Sequence, residues 1–202
     1  MGIRLAVIAI ATLSTPALAD EVPAARSPRL VLQRPQATIT HRTDPARWNF
    51  RTLVEFNPID NAALARIAAA RAELGRPREV GIVRPVPGDL IDPVTHGQWS
   101  TEPDGTRVWR LELYSSGART MRVHFSSFDL PDGATLSITG AEPVLPAHEY
   151  KGIGPLHSRT FWSRTVHSDR VLIEYRSRPQ VAAAPFIEID AVVHDFVSPF
   201  DN

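Results

Sequence analysis

Seven histidines carry most of the chemistry this sequence offers, because imidazole titrates near neutral pH and ligates metals. His124 and His194 fall on the polar faces of alternating segments, while His41, His96, His148, His157 and His167 fall in turns. No two of them stand at i and i+4 of a helix and no HExxH occurs. Their spacing therefore reads as scattered surface imidazoles and assigns no metal site. A serine hydrolase needs a positioned Ser, a His and an acid. There is no GxSxG, and Ser115-Ser116-Gly117 reads as a turn between strands. Asp104, Asp129 and Asp132 lie in loops where oxygen ligands for calcium can gather, but Asp104-Gly105 and Asp132-Gly133 are also ordinary hairpin-turn signals. Carboxylates are abundant and nothing singles out a pair for glycoside hydrolysis. Gly152-Ile153-Gly154 runs into Pro155 rather than a helix start, so it is no phosphate loop. Catalytic residues, cofactor ligands and metal ligands are therefore all read as none. Two aromatics stay open: Trp99 and Trp162 read as a carbohydrate platform or as packing. Trp109, in phase with Leu111 and Leu113, reads as core.

Composition narrows the classes further. The chain has 202 residues and 22.3 kDa, with 22 basic and 22 acidic side chains. A zero net charge argues against nucleic acid as a partner, since phosphate contacts need a basic surplus. The absence of Cys rules out disulfides, a thiol nucleophile and Cys-ligated zinc. All but one of the 22 basic residues are Arg, the single lysine being Lys151. Biased codon usage explains that imbalance; the alternative is protection from a lysine-specific partner.

Residues 1–19 have the form of a signal peptide. Arg4 supplies the positive start, Leu5 to Leu13 the apolar run, and Ala17-Leu18-Ala19 the small-x-small end. The run is about ten residues against roughly 20 needed to cross hydrocarbon. This predicts no membrane span, cleavage near Ala19, and a secreted or periplasmic product. Residues 20–59 are expected to form an irregular lead-in, because Pro23, Pro28, Pro35 and Pro45 oppose a long helix; a short edge strand around Thr38-Ile39-Thr40 is the alternative. Trp48, Phe50 and Phe56 form a patch too apolar to stay solvated, and are expected to dock on the main body or a partner domain.

A helix is predicted over 60–75. Asp60 or Asn61 caps its start, Leu64, Ile67, Arg71 and Leu74 make a thin stripe, and Gly75 with Pro77 ends it. From residue 79 to 202 the period changes to two. Trp109, Leu111 and Leu113 alternate with Arg110, Glu112 and Tyr114; Met121, Val123 and Phe125 follow, then Leu136 and Ile138. Val171, Ile173 and Tyr175 are next, and Ile187, Ile189, Ala191 and Val193 close the series. Short runs with one apolar face, bounded by Gly, Pro, Asp or Ser, are antiparallel strands. The expected fold is mainly β: an antiparallel, jelly-roll-like β-sandwich preceded by one short helix.

Taken in order, these elements carry a resemblance. Val80-Gly81, Gly97-Gln98-Trp99, Val108-Trp109-Arg110-Leu111 and Ser116-Gly117-Ala118 are followed by Leu130-Pro131-Asp132-Gly133-Ala134. Tyr150 to Gly154, Phe161-Trp162-Ser163, Asp169 to Glu174 and Ala191-Val192-Val193-His194 complete the run. The region resembles the non-catalytic N-terminal part of secreted bacterial trypsin-like serine endopeptidases of the lysyl-endopeptidase type. In such precursors a cysteine-bearing protease domain follows, whereas this sequence ends at Asn202 and no position matches a triad member. The resemblance implies an exported accessory or pro-region domain, not an enzyme on its own, whose partner is a serine protease domain in cis or lost. The rival expectation is a free-standing module that binds extracellular glycan or protein.

Overall fold

A computed structural model describes residues 37–44, 48–86, 88, 90–141 and 147–197, with side chains from residue 53 onward. The signal segment, its cleavage point and the side chains of Trp48 and Phe50 lie outside the described residues. The strands in chain order are β1 (Ala37–Asp44), β2 (Trp48–Phe56), β3 (Gly81–Pro85), β4 (Gln98–Thr101), β5 (Arg107–Ser115) and β6 (Thr120–Asp129). They continue with β7 (Ala134–Gly140), β8 (His148–Tyr150), β9 (Phe161–Trp162), β10 (Arg170–Ser177) and β11 (Phe186–Asp195). Among the described residues one α-helix, α1 (Asn61–Glu73), stands between β2 and β3, and a short 3-10 turn spans Pro155–His157. Two sheets result, ordered β1-β2-β5-β10-β7-β8 and β3-β11-β6-β9, with β4 also paired to β5. The expected antiparallel-rich sandwich is the architecture observed. Its core joins Trp109, Leu111, Leu113, Ile173 and Tyr175 of the larger sheet to Met121, Val123, Phe125, Ile189 and Val192 of the smaller.

Strand structure begins in the lead-in, where the alternative reading put a short edge strand at Thr38-Ile39-Thr40; β1 contains those residues and is longer. β1 and β2 form a hairpin, and β2 runs parallel to β5 with Val54 opposite Leu113. Proline opposes a strand interior as well as a helix, since it lacks the ladder N–H, but neither β1 nor β2 contains one. The two strands are rich in β-branched and aromatic residues, among them Thr38, Ile39, Thr40, Trp48, Phe50 and Val54, which favour pleated structure. Val54 and Phe56 are fully buried as a result.

The helix keeps the predicted ends. The Asp60 side chain accepts from the Ala63 N–H at 2.9 Å. At the other end the Gly75 N–H donates to Ala72 O and the Arg76 N–H to Arg71 O, at 2.9 and 3.1 Å, with Gly75 at φ 75°. That pair of bonds is a Schellman stop. The stripe is thin, as the sequence indicates: Ala68 is the only buried residue of α1, and Leu74, at its C-cap, is 82% exposed.

One irregularity resets the pattern of the last strand. The β11–β6 register shifts on both sides of Ile189, so that Ile189 faces Phe125 while Ala191 faces His124. Asp190 is the extra residue on β11 and Ser126 the extra residue on β6. Each bulge inverts the alternation beyond it. Val192 and His194 therefore turn inward, opposite Val123 and Met121. Phe125 and Phe128, three apart, both reach the core.

Candidate functional site

The inverted phase of β11 carries His194 into a sealed polar centre. His194, Arg84 and Ser115 are each fully buried. Arg84 Nη1 donates to Ser115 Oγ at 2.6 Å, and its Nη2 donates to the Asn57 carbonyl at 2.5 Å. Ser115 Oγ lies 2.7 Å from His194 Nδ1, and His194 Nε2 lies 2.9 Å from Asn61 Oδ1. Asn61 Nδ2 donates to the Gly117 carbonyl at 2.7 Å. Proton direction follows from the two ends. Asn61 donates through its nitrogen, so its oxygen accepts, and His194 Nε2 carries the proton. Nδ1 is then the acceptor for the Ser115 hydroxyl, which in turn accepts from Arg84. The chain runs Arg84, Ser115, His194, Asn61, Gly117 without a mismatch.

Burial and the neighbouring Arg84 charge hold the His194 imidazole neutral, its pKa lowered from 6.5 to about 4. Arg84 itself is lowered to about 10 by burial. Its guanidinium stands 5.0 Å from the centroid of the Phe56 ring, a cation–π placement that partly replaces lost water. Arg84 Nε has no partner among the described residues.

A Ser hydrogen-bonded to a His invites a catalytic reading, and the geometry argues against it. The Ser115 hydroxyl is buried, Arg84 already occupies one of its lone pairs, and the imidazole is steered by an amide rather than a carboxylate. A nucleophile must meet substrate and be relieved of its proton by a base that can then hold the charge; a cation beside the imidazole opposes that step. The cluster instead ties the β2–α1 link, β3, β5 and β11 together. The sequence reading placed His194 on a wet face and Ser115 in a turn. The structure corrects both, and no period-two pattern predicts a bulge at Asp190.

The aromatic candidates lie in different sheets. Trp99, on β4, donates its Nε1 proton to Pro93 O at 2.7 Å and meets Tyr175 edge-on at 5.6 Å. It packs against the core. Trp162, on the edge strand β9, is 37% exposed and lies 4.6 Å from the His124 ring. His124 Nδ1 is 2.6 Å from Asp190 Oδ1. The two indoles are thus not brought together into one platform. Phe56 packs inside the sandwich under Arg84, so it is not a free docking surface, while the Trp48 and Phe50 side chains fall outside the described residues. Trp109 is core, as expected, with Nε1 donating to His96 O at 2.7 Å.

Among the described residues no cluster of three or more His, Asp or Glu is placed to hold a metal ion. Asp129 pairs with Arg159 at 2.5 Å, and Asp104 accepts from the Thr106 N–H at 2.9 Å. These are turn and surface contacts. On the outer face of the larger sheet Glu102, Arg110, Glu174 and Arg176 form a cross-strand charge ladder, with Arg110 to Glu174 at 2.7 Å.

Among the described residues, hollows of about 460 and 320 Å³ open on the surface. Lys151 lines both. Pro131, Gly133 and Arg178 contribute to the first, and His148, Tyr150 and Arg164 to the second. Neither hollow contains the sealed centre.

The described residues thus build a two-sheet strand sandwich with a buried polar cluster in its interior. Comparison with known families is specific: the lysyl endopeptidase N-terminal domain matches residues 55–177. The chain belongs to that family. No curated protein matches it. Among the described residues no helix is long and apolar enough to cross a membrane.

Proposed function

We propose that this chain is an exported, non-catalytic accessory or pro-region domain that serves a serine endopeptidase of the lysyl type. It acts by binding the protease domain, assisting its folding or restraining it. The observation that carries this reading is the family match over residues 55–177. The sealed Ser115–His194 contact supports it: the arrangement nearest to a hydrolytic pair is built for cohesion. The signal-like residues 1–19 support export to the periplasm or beyond.

The test has two arms. Purified chain incubated with casein is expected to release no peptides, and to bind a lysyl endopeptidase catalytic domain in a size-exclusion or anisotropy assay. Casein hydrolysis that a serine-directed reagent abolishes would overturn the non-catalytic reading. Failure to bind or influence the refolding of any such catalytic domain would remove the partner.

A further inference from the structure

The loop after β8 has properties that the sandwich does not need. Tyr150 ends β8 buried among Phe125, Phe128 and Phe161, at ring distances of 6.4, 6.3 and 5.2 Å. Its hydroxyl accepts from the Arg164 N–H at 2.8 Å. Strand alternation then sends the next side chain, Lys151, outward. Lys151 is 69% exposed, and its nearest carboxylate, on Glu149, stands 4.0 Å away and is itself 63% exposed. The backbone past it is tied down twice. The Gly154 N–H donates to Lys151 O at 3.1 Å and the Leu130 N–H to Gly152 O at 2.8 Å.

Further on, Leu156 and His157 both adopt φ 55°. Left-handed backbone at a non-glycine residue is strained, and such strain clusters at ligand clamps and binding loops. Leu156 is 97% exposed. Finally, β8 lies at the end of its sheet and has one strand neighbour, β7, among the described residues. No strand among the described residues pairs with its other edge, and such an edge can take up an extended segment.

These features together resemble a substrate-like inhibitor loop: extended residues leading to an exposed side chain, an edge with no strand partner among the described residues, and a backbone hydrogen-bonded on the far side. The exposed residue is the chain's single lysine, against 21 arginines. We propose that residues 148–152 are the surface that engages a lysine-specific endopeptidase, with Lys151 in its specificity pocket and the β8 edge paired to the enzyme's cleft. This rests on the protease-binding reading above and names the contact. The two hollows flanking Lys151 receive side chains from the enzyme's rim. The hydrogen bonds at Lys151 and Gly152 hold the peptide bond between them in a turn, so the loop binds and is not released as product. Rigidity of this kind lowers the ordering cost of binding.

The experiment uses the purified full chain and a lysine-specific serine endopeptidase assayed with a chromogenic lysyl substrate. Competitive inhibition is expected, with the chain intact by mass spectrometry afterwards. Lys151→Ala should weaken inhibition by about 30-fold or more, the loss typical of a central anchor, while circular dichroism remains unchanged. Binding is measured in parallel with enzyme whose specificity pocket is blocked, and should be lost. Equal inhibition by Lys151→Ala overturns the proposal, as does rapid cleavage between Lys151 and Gly152. Lys151-independent binding to the blocked enzyme overturns it too, but leaves the protease-binding reading standing. No binding in any arm removes both.

Discussion

His194 makes acid the sharpest probe of the polar centre. Its imidazole is neutral in the folded chain, with a pKa of about 4 against 6.5 for an exposed histidine. Between those two values the unfolded chain carries a proton that the folded chain refuses. The unfolded state therefore binds more protons, and stability rises with pH across that window. The contribution is complete above pH 6.5, is lost as pH falls toward 4, and is flat below. A gap of about 2.5 pH units at about 1.36 kcal/mol each gives about 3 kcal/mol. The perturbation is His194→Gln, which cannot titrate but can still donate to Asn61 through its amide nitrogen. Urea melts of both proteins at pH 7, 6, 5 and 4 provide the assay. Gln is expected to cost stability at pH 7, because Ser115 loses its acceptor. The difference between the two proteins should then shrink by about 3 kcal/mol on going to pH 4. Every other group is common to both chains, so its contribution cancels in the difference. A difference that stays constant within about 0.5 kcal/mol would refute a neutral, buried His194, because linkage then has no folded-state asymmetry to act on.

Two further substitutions test the packing around that centre. Arg84→Lys is expected to destabilise by about 2 kcal/mol in urea melts, because a single ammonium cannot span Ser115 Oγ and the Asn57 carbonyl as the guanidinium fork does; a loss under about 0.5 kcal/mol would show that the fork is not needed. Gly97→Ala should lower the melting temperature by several degrees, since Gly97 sits at φ 73° and a Cβ there would stand 2.3 Å from Trp109 Nε1; an unchanged melt with unchanged tryptophan emission would contradict that close approach.

Much of the sandwich was legible because its central strands keep strict phase. Leu111 and Leu113 on β5 flank Glu112, Ile173 and Tyr175 on β10 flank Glu174, with Leu172 the one apolar residue on the other face, and the two strands pair in register. Their faces follow from the pattern alone. The helix ends were legible for a different reason: Asp60 and Gly75 are local chemistry, independent of what the helix packs against. What failed to show was everything set by a bulge or by distant partners. His194 looks like a surface residue until Asp190 is counted as extra, and its partners Ser115 and Asn61 are 79 and 133 residues away. The Trp48–Phe56 patch reads as docking and not as a strand, because its parallel partner, β5, lies across the helix in sequence. Trp99 and Trp162 could not be assigned to packing or surface without knowing that they belong to opposite sheets.

The sealed centre also explains how a nearly unanchored helix holds its place. With Ala68 alone buried, α1 gains little from apolar burial, and its attachment falls to Asn61 at its first turn. Asn61 bonds at once to His194 on β11 and to the Gly117 carbonyl just past β5. Hydrogen bonds are directional where apolar contacts are not, so this pair fixes the start of the helix against both sheets. The same bonds depend on a neutral His194 that accepts from Ser115. A proton on Nδ1 would leave two donors facing each other beside Arg84. The Phe125–Phe128–Tyr150–Phe161 aromatic group has no comparable titration in the acid range. Acid therefore acts first on the polar centre and the helix it holds, while the aromatic core keeps the strands and the Lys151 loop in place. Local opening of that kind is what a domain gains by spending polar rather than apolar contacts on one of its elements.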